Sequence, residues 1–443
     1  MATRSVITMS DEPVASGAPD TARQTQRSRP TRPVAVAVAP DAALPPAQTP
    51  DVDASTPRDD CGRAWDDPSR ASAARAFGNA ARAWWAADLT LTTIALIGVI
   101  ATGAHVTLRD AITAAVSWEP TRVSFGVQAS MYVAVLAVGG ALLGMPAAWF
   151  GGHRLMHVHG LGTQSARGWF RDYAIASAVG TTLTGGFSGV VAFVCDPNPG
   201  NWWAWATAVG AVGTLLVTYL APLVVLPLFY RGQPLPDGPV RDALVDLAAR
   251  AGTGIRTCTV VDQSRRSRAA NAAVVGIGRT RRIVVTDTLL AGGYSPSEVG
   301  AILAHELGHH IHHDLLWTVA TEAAILGMCL FIAERARHAV ADAIGLTGPA
   351  DVAGLPVIAL VAGACLVLAL PLRRGLSRRR EARADAYGVA LTGDRAAWAS
   401  TLRRLAVQNL AEVDPHPFVE WITYSHPSIR RRLATVENGG GRG

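Results

Sequence analysis

The sequence contains no lysine: its basic side chains are 40 arginines, set against 34 acidic residues. Charge of either sign is scarce, 17% of the chain, where a soluble protein carries about 25%. Hydrophobic residues make up 49%, and they fall in blocks of membrane-spanning length. A large soluble globular protein is thereby excluded in favour of an integral membrane protein. Cysteine is also sparse. Cys61, Cys195, Cys258, Cys329 and Cys365 are odd in number and form no C-x-x-C pair, so neither a disulfide framework nor a cysteine-built metal site follows. No apolar stretch succeeds the first charged residues, which excludes a secretory signal. A basic face with interleaved aromatics is missing too, so no nucleic-acid partner is expected.

What is present is a sequence of distinct regions. Residues 1–80 are rich in Pro, Ala, Ser, Thr, Asp and Arg. Such a composition buries too little apolar surface to offset chain entropy, and a disordered tail is expected. Six apolar blocks follow, at roughly 88–107, 127–150, 172–195, 203–229, 314–333 and 353–372, each near the ~20 residues that a spanning helix needs. Tryptophans at 84, 85, 149, 202, 203 and 205 sit at block ends, as an interfacial aromatic belt requires. The expected organisation is an N-terminal four-helix membrane region over 81–230, a soluble α+β insert over 231–313, two further spans over 314–376 and a helical segment over 377–443. An even number of spans puts both termini and the insert on one side. The run Arg373-Arg374 and Arg378-Arg379-Arg380 makes that side cytoplasmic. Arg335 and Arg337 lie in the opposing loop, against that rule.

Within the insert, Val240, Leu244, Leu247 and Ala248 mark a helix over Asp237–Ala251. Thr257–Val261, Asn271–Val275 and Arg282–Thr286 read as short strands. Ser295-Pro296-Ser297-Glu298 is a helix start, with Ser295 as N-cap and Glu298 closing a capping box. That helix carries His305-Glu306-Leu307-Gly308-His309, an H-E-x-x-H sequence. Residues four apart share a helix face, so both imidazoles can meet one zinc ion, and Glu306 lies beside the open position to act as base. A third ligand is needed from another helix. Glu381, with Asp385 four residues on, can ligate while Asp385 orients a ligating imidazole. Taken alone, that segment reads more simply as a solvated charged helix, Glu381 pairing Arg378 or Arg383. His310, His312 and His313 read as interfacial or solvated.

The whole series resembles the type I CAAX prenyl endopeptidases, integral-membrane zinc metallopeptidases, and their bacterial relatives. It runs from Pro227-Leu228-Phe229 through Pro234-Leu235-Pro236-Asp237-Gly238, Ser264-Arg265-Arg266-Ser267, Asn271-Ala272, Gly276 and the Arg282–Leu289 run. It continues through Ala304–His309 and Glu381 to Tyr424-Ser425-His426-Pro427 and Arg432, in matching order and spacing. The resemblance implies a mainly α-helical multi-pass membrane protein of about six spans with a small α+β zinc metallopeptidase insert. It implies one Zn2+ per chain on His305, His309 and Glu381, with Glu306 as base. His426 and Arg432 would stabilise the oxyanion, and Asn271 with Ala272 would hold the substrate backbone by strand addition. Ala269, Ala273, His310 and Ala382 stand where familiar members carry other side chains, three of them aromatic. The expected activity is endoproteolysis of a peptide or membrane-tethered protein in a bacterial plasma membrane. An HtpX-like quality-control protease and a non-catalytic zinc-binding scaffold or sensor are the alternatives.

Overall fold

The computed structural model describes residues 64–116, 121–195, 199–255 and 257–437. The first helix that lies wholly within them, α1, spans Pro68–Ala101, so residues 68–80 are helical and not part of a disordered tail. The start is locally encoded. Asp67 accepts the Ser69 N–H at 2.8 Å and Pro68 takes the first helical position, where its missing N–H costs nothing. Phe77 then anchors the extension by burying its ring beside Leu155 and Leu161. Residues 64–67 are ordered too, with Trp65 packed against the cluster around Trp398, and residues 1–63 of the expected tail lie outside the described residues.

A short helix α2 (Ala104–Ala115) follows, then α3 (Arg122–Ala148), α4 (Ala166–Cys195) and α5 (Trp202–Leu220). Both α3 and α5 run on through a π-turn, Trp149–Arg154 and Ala221–Val225 respectively, before ending at Val158 and Phe229. After the insert come α8 (Asp314–Val340), α9 (Leu355–Leu368) and α10 (Leu370–Thr392). Five helices are long and apolar enough to cross a membrane, and the bent pair α9–α10 gives a sixth crossing if it is one span. Side chains such as Leu142 and Val212, 66% and 67% exposed in the protein alone, need a hydrocarbon surround. The protein is a mainly helical, multi-pass integral membrane protein with a small α+β unit. The bend between α9 and α10 is 51° and falls at Leu370-Pro371, because proline removes a donor from the helical ladder and starts a new helix readily.

The insert holds β1 (Gly232–Pro234), α6 (Pro239–Arg250), β2 (Cys258–Val261), β3 (Ala272–Val275), β4 (Arg282–Thr286) and α7 (Pro296–Ile311). Sheet order is β1-β2-β4-β3, with β2 and β4 parallel and the outer pairs antiparallel. β3 is therefore a sheet edge. Period-two alternation splits its neighbours between two faces. Ala272, Val274, Ile283 and Val285 pack with Leu303 and Leu307 of α7, whereas Val275 and Val284 pack with Leu226 and Tyr230 at the end of α5. The chain closes with α11 (Arg395–Gln408), α12 (Pro417–Thr423) and α13 (Ile429–Glu437).

Arg337, one of the two arginines that spoiled the loop-charge pattern, is 2% exposed. Glu334 holds it through two bonds of 2.8 Å, so it is a neutralised structural group and carries no topological weight. Removing one partner of a buried pair leaves an uncompensated charge. Glu334→Ala should accordingly cost about 3–5 kcal/mol, read as a lowered midpoint in detergent melts, while Arg335→Ala should leave the midpoint within ~0.5 kcal/mol of wild type.

Candidate metal centre

α7 begins as its sequence dictates: Ser295 Oγ accepts the Glu298 N–H at 3.2 Å, and Glu298 returns to the Ser295 N–H at 2.8 Å. Glu298 also binds Arg404 of α11 at 2.7 Å and Ser400 at 2.6 Å, which fixes the helix by its first turn. His305 and His309 then face α10 across two glycines. A β-carbon at Gly308 would lie 2.9 Å from the Ala384 α-carbon, and one at Gly388 would lie 3.1 Å from the His305 backbone nitrogen. Only with hydrogen at both positions do the helices come this close.

The result is a convergence of donor atoms. His305 Nε2 lies 3.2 Å from His309 Nε2, and Glu381 Oε2 and Oε1 lie 3.2 and 3.3 Å from them. His305, His309 and Glu381 thus form a group whose ligand atoms fit around one metal ion. The other nitrogen of each ring faces a carboxylate: His305 Nδ1 is 2.8 Å from Asp385, and His309 Nδ1 is 2.9 Å from Asp314. Each aspartate is held in turn by an arginine. Arg432 grips Asp385 with Nε and an Nη at 2.8 and 2.7 Å, and Arg383 reaches Asp314 at 2.7 Å. Both Nδ1 atoms therefore carry the proton, and both Nε2 lone pairs point into one space.

Glu306 follows His305 on α7, and its carboxylate lies beside the Val274 backbone of β3. Burial raises its pKa above the ordinary range, against the pull of His305 and His309. His426 brings Nε2 to 3.4 Å from Glu381 Oε2 and has Ser425 Oγ 2.8 Å from its Nδ1. Burial, reinforced by Arg432, pushes its pKa down to about 4 despite Glu381. Asn271 stands just before β3, its backbone paired to Thr286 at 2.9 and 3.0 Å, its Oδ1 buried without a partner. Ala272 is 4% exposed and offers only backbone.

The fold thus gathers His305, Glu306, His309, Glu381, Asp385, His426 and Arg432, with Asn271 and Ala272 at the adjoining sheet edge. Arg432 was expected to face the oxyanion. It gives two of its five N–H donors to Asp385, the carboxylate that faces His305 Nδ1. Glu381 does not pair Arg378. That arginine spans from α10 to the carbonyls of Glu420 and Tyr424, at 2.9 and 2.8 Å, below the turn that bears His426. Sequence reasoning missed Asp314 and Arg383. Asp314 is five residues past His309, off the helix face, and reaches it because His313 adopts φ 54° and reverses the chain. The H-x₄-D spacing was visible, but its meaning was not.

A largely buried three-donor group behind a spanning bundle fits a membrane metalloendopeptidase, and similarity to known proteins shows that class. Residues 234–439 match the model of peptidase family M48. Residues 73–231 match the CAAX prenyl protease N-terminal model, described as five membrane helices, where the described residues place four long apolar ones. The chain belongs to this family of CAAX prenyl proteases and their bacterial relatives. It is 28% identical over 310 residues to the uncharacterized metalloprotease YhfN of Bacillus subtilis, covering 69% of this chain and 72% of that one. It is 25% identical over 342 residues to CAAX prenyl protease 1 of Saccharomyces cerevisiae, covering 71% and 73%. A protease HtpX homolog of Chlorobium limicola is 28% identical, over 44% of this chain and 70% of its own. The fold resembles the crystal structure of S. mikatae Ste24p, with a TM-score of 0.61, 22% identity and coverage of 70% and 75%.

Two outcomes follow from this geometry. Gly388→Ala should force α7 and α10 apart and lower bound metal, measured by elemental analysis after dialysis, whereas Gly300→Ala, which meets nothing within 4 Å, should keep metal and gain up to ~1 kcal/mol. Asp314→Asn should weaken metal affinity about 10–100-fold in chelator competition, as loss of an imidazole's carboxylate partner does elsewhere.

Proposed function

We propose that the group holds one Zn2+ and that the protein cleaves peptide bonds of membrane-associated polypeptides. The observation that carries this reading is the pair of imidazole Nε2 atoms 3.2 Å apart, with a carboxylate oxygen equally near. Such an arrangement needs a proton or a metal ion between its atoms, and a metal ion satisfies all three donors at once. Adjacent corners of a tetrahedron with bonds of 2.0–2.1 Å stand about 3.3 Å apart, so the spacings suit zinc with two His and one Glu. Zinc there would polarise the substrate carbonyl and acidify water.

The remaining chemistry belongs to the side chains. Glu306 takes a proton from the attacking water and later delivers it to the departing amine, and its raised pKa suits both acts. His426, neutral at physiological pH, has its Nε2 facing the acceptor-only carboxylate of Glu381; with the proton on that nitrogen, and the Ser425 hydroxyl donating to Nδ1, it is aimed at the centre as an oxyanion donor. Asp385 with Arg432, and Asp314 with Arg383, fix the two imidazoles. Substrate lies along the free edge of β3, where Asn271 Oδ1 is an unspent acceptor and the Ala272 backbone is available. The site and both termini face the cytoplasm, the side that the Arg373–Arg380 cluster favours. Relatives named CAAX prenyl proteases make a prenylated peptide the first substrate to try, beside an unprenylated membrane-protein fragment.

Glu306→Gln should lower kcat about 10²–10⁴-fold, the usual contribution of a positioned base, while metal content stays at one per chain. Undiminished cleavage by that variant would overturn the mechanism. Metal retention without cleavage of either substrate by wild type would turn the reading to a zinc-binding scaffold.

A further inference from the structure

Beside the catalytic half lies a cavity of about 410 Å³ that none of the roles above uses. Trp169, Ala176, Val225, Phe229 and Tyr230 line it from the membrane helices, and Val275 closes it from β3. The walls are mostly apolar. The exception is an ion pair that neutralises itself: Asp172 accepts from Arg266 Nε and an Nη at 2.9 and 2.7 Å and from Gln164 at 2.7 Å. The Arg266 guanidinium also covers the Tyr230 ring at 4.6 Å. Its Nη1 is left buried with no partner, a donor free for an uncharged acceptor on whatever occupies the space. A closed ion pair offers no net charge to attract an anion, so size and apolarity decide what enters.

The position of the cavity follows from the pleat of β3. Val274 turns its side chain toward α7, with its backbone beside Glu306, whereas Val275, one residue on, turns to the opposite face and into the cavity. A strand added at the β3 edge keeps the same alternation. Every second side chain of that strand would face the metal helix, and the intervening ones would face the cavity.

We propose that this cavity is a specificity pocket for a large apolar side chain of the substrate next to the residue presented to Glu306, with Arg266 Nη1 donating to a substrate carbonyl. The inference rests on the endopeptidase reading and on strand addition at β3. Its substrate class is an extended polypeptide with Leu, Ile, Met or Phe near the scissile bond.

Binding and cleavage test it separately. Two dansylated heptapeptide amides, one with Leu and one with Ala at alternate positions, are titrated into full-length Glu306→Gln in detergent and read by anisotropy, with empty micelles subtracted. The Leu peptide is expected to bind at least tenfold tighter. That ratio should fall toward one when the cavity is filled by Ala176→Trp or, from another wall, by Val225→Phe, in proteins whose metal content and melting midpoint match the parent. A ratio near one in the parent, or a ratio that survives both fillings, overturns the pocket. In parallel, wild type and the filled variants cleave unfolded casein, and the flanking residues are read by mass spectrometry. A shift from large to small residues at one flanking position supports the pocket. An unchanged profile overturns it. Absence of any cleavage by wild type, with the binding ratio intact, would sink the endopeptidase reading and leave the pocket standing.

Discussion

The site depends on how closely α7 and α10 approach. Side chains on two helices normally hold the axes 8–10 Å apart, and a carboxylate on one helix then reaches past the other. Gly308 and Gly388 each face backbone of the opposite helix at about 3 Å from where a β-carbon would stand. The saved space lets Glu381 meet both imidazoles at 3.2–3.3 Å and lets Asp385 reach the far nitrogen of His305. Ser295 and Glu298 set where α7 begins and tie it to α11, so the register of the close approach is fixed from one end.

That approach also makes the electrostatics self-consistent. Five ionisable groups, His305, Glu381, Asp385, Arg432 and Asp314, are each less than 9% exposed. Charges at that depth are tolerated only when paired with good geometry. Two Asp–Arg pairs satisfy the outer nitrogens and leave both inner lone pairs pointed inward. The centre is therefore short of a positive charge, which is what a metal ion supplies. Arg432 exemplifies the logic: it spends two of its five N–H donors on Asp385, which in turn faces His305 Nδ1.

The sheet and the membrane helices give the site its setting. β3 is an edge strand because β4 already has β2 on its other side, and an edge is where an extended chain can pair. One face of β3 looks to the metal helix and the other to the end of α5, which passes through a π-turn at Ala221–Val225 beside the cavity. Such turns relieve strain by shifting side chains around the helix, and they recur at functional places.

Much of this was written in local sequence. Apolar block length gave the spans, since a bilayer's thickness fixes the residue count. The capping box, the three strand runs and the H-E-x-x-H spacing gave the insert, because caps and periodicities act within a few residues. Glu381 was a candidate by its four-residue spacing to Asp385, though the segment alone read better as a solvated helix. Other features were decided only by the folded chain. Asp314 joins the centre through a reversed residue at His313, Arg337 is neutralised within a buried pair, and Arg432 pairs with Asp385. β1 was unseen because three residues ending in proline carry no period, and α1 reached back to Pro68 because Phe77 found a tertiary partner. Spacing along a helix specifies which side chains share a face. Which atoms finally meet depends on how near two helices can come, and that is a property of the pair.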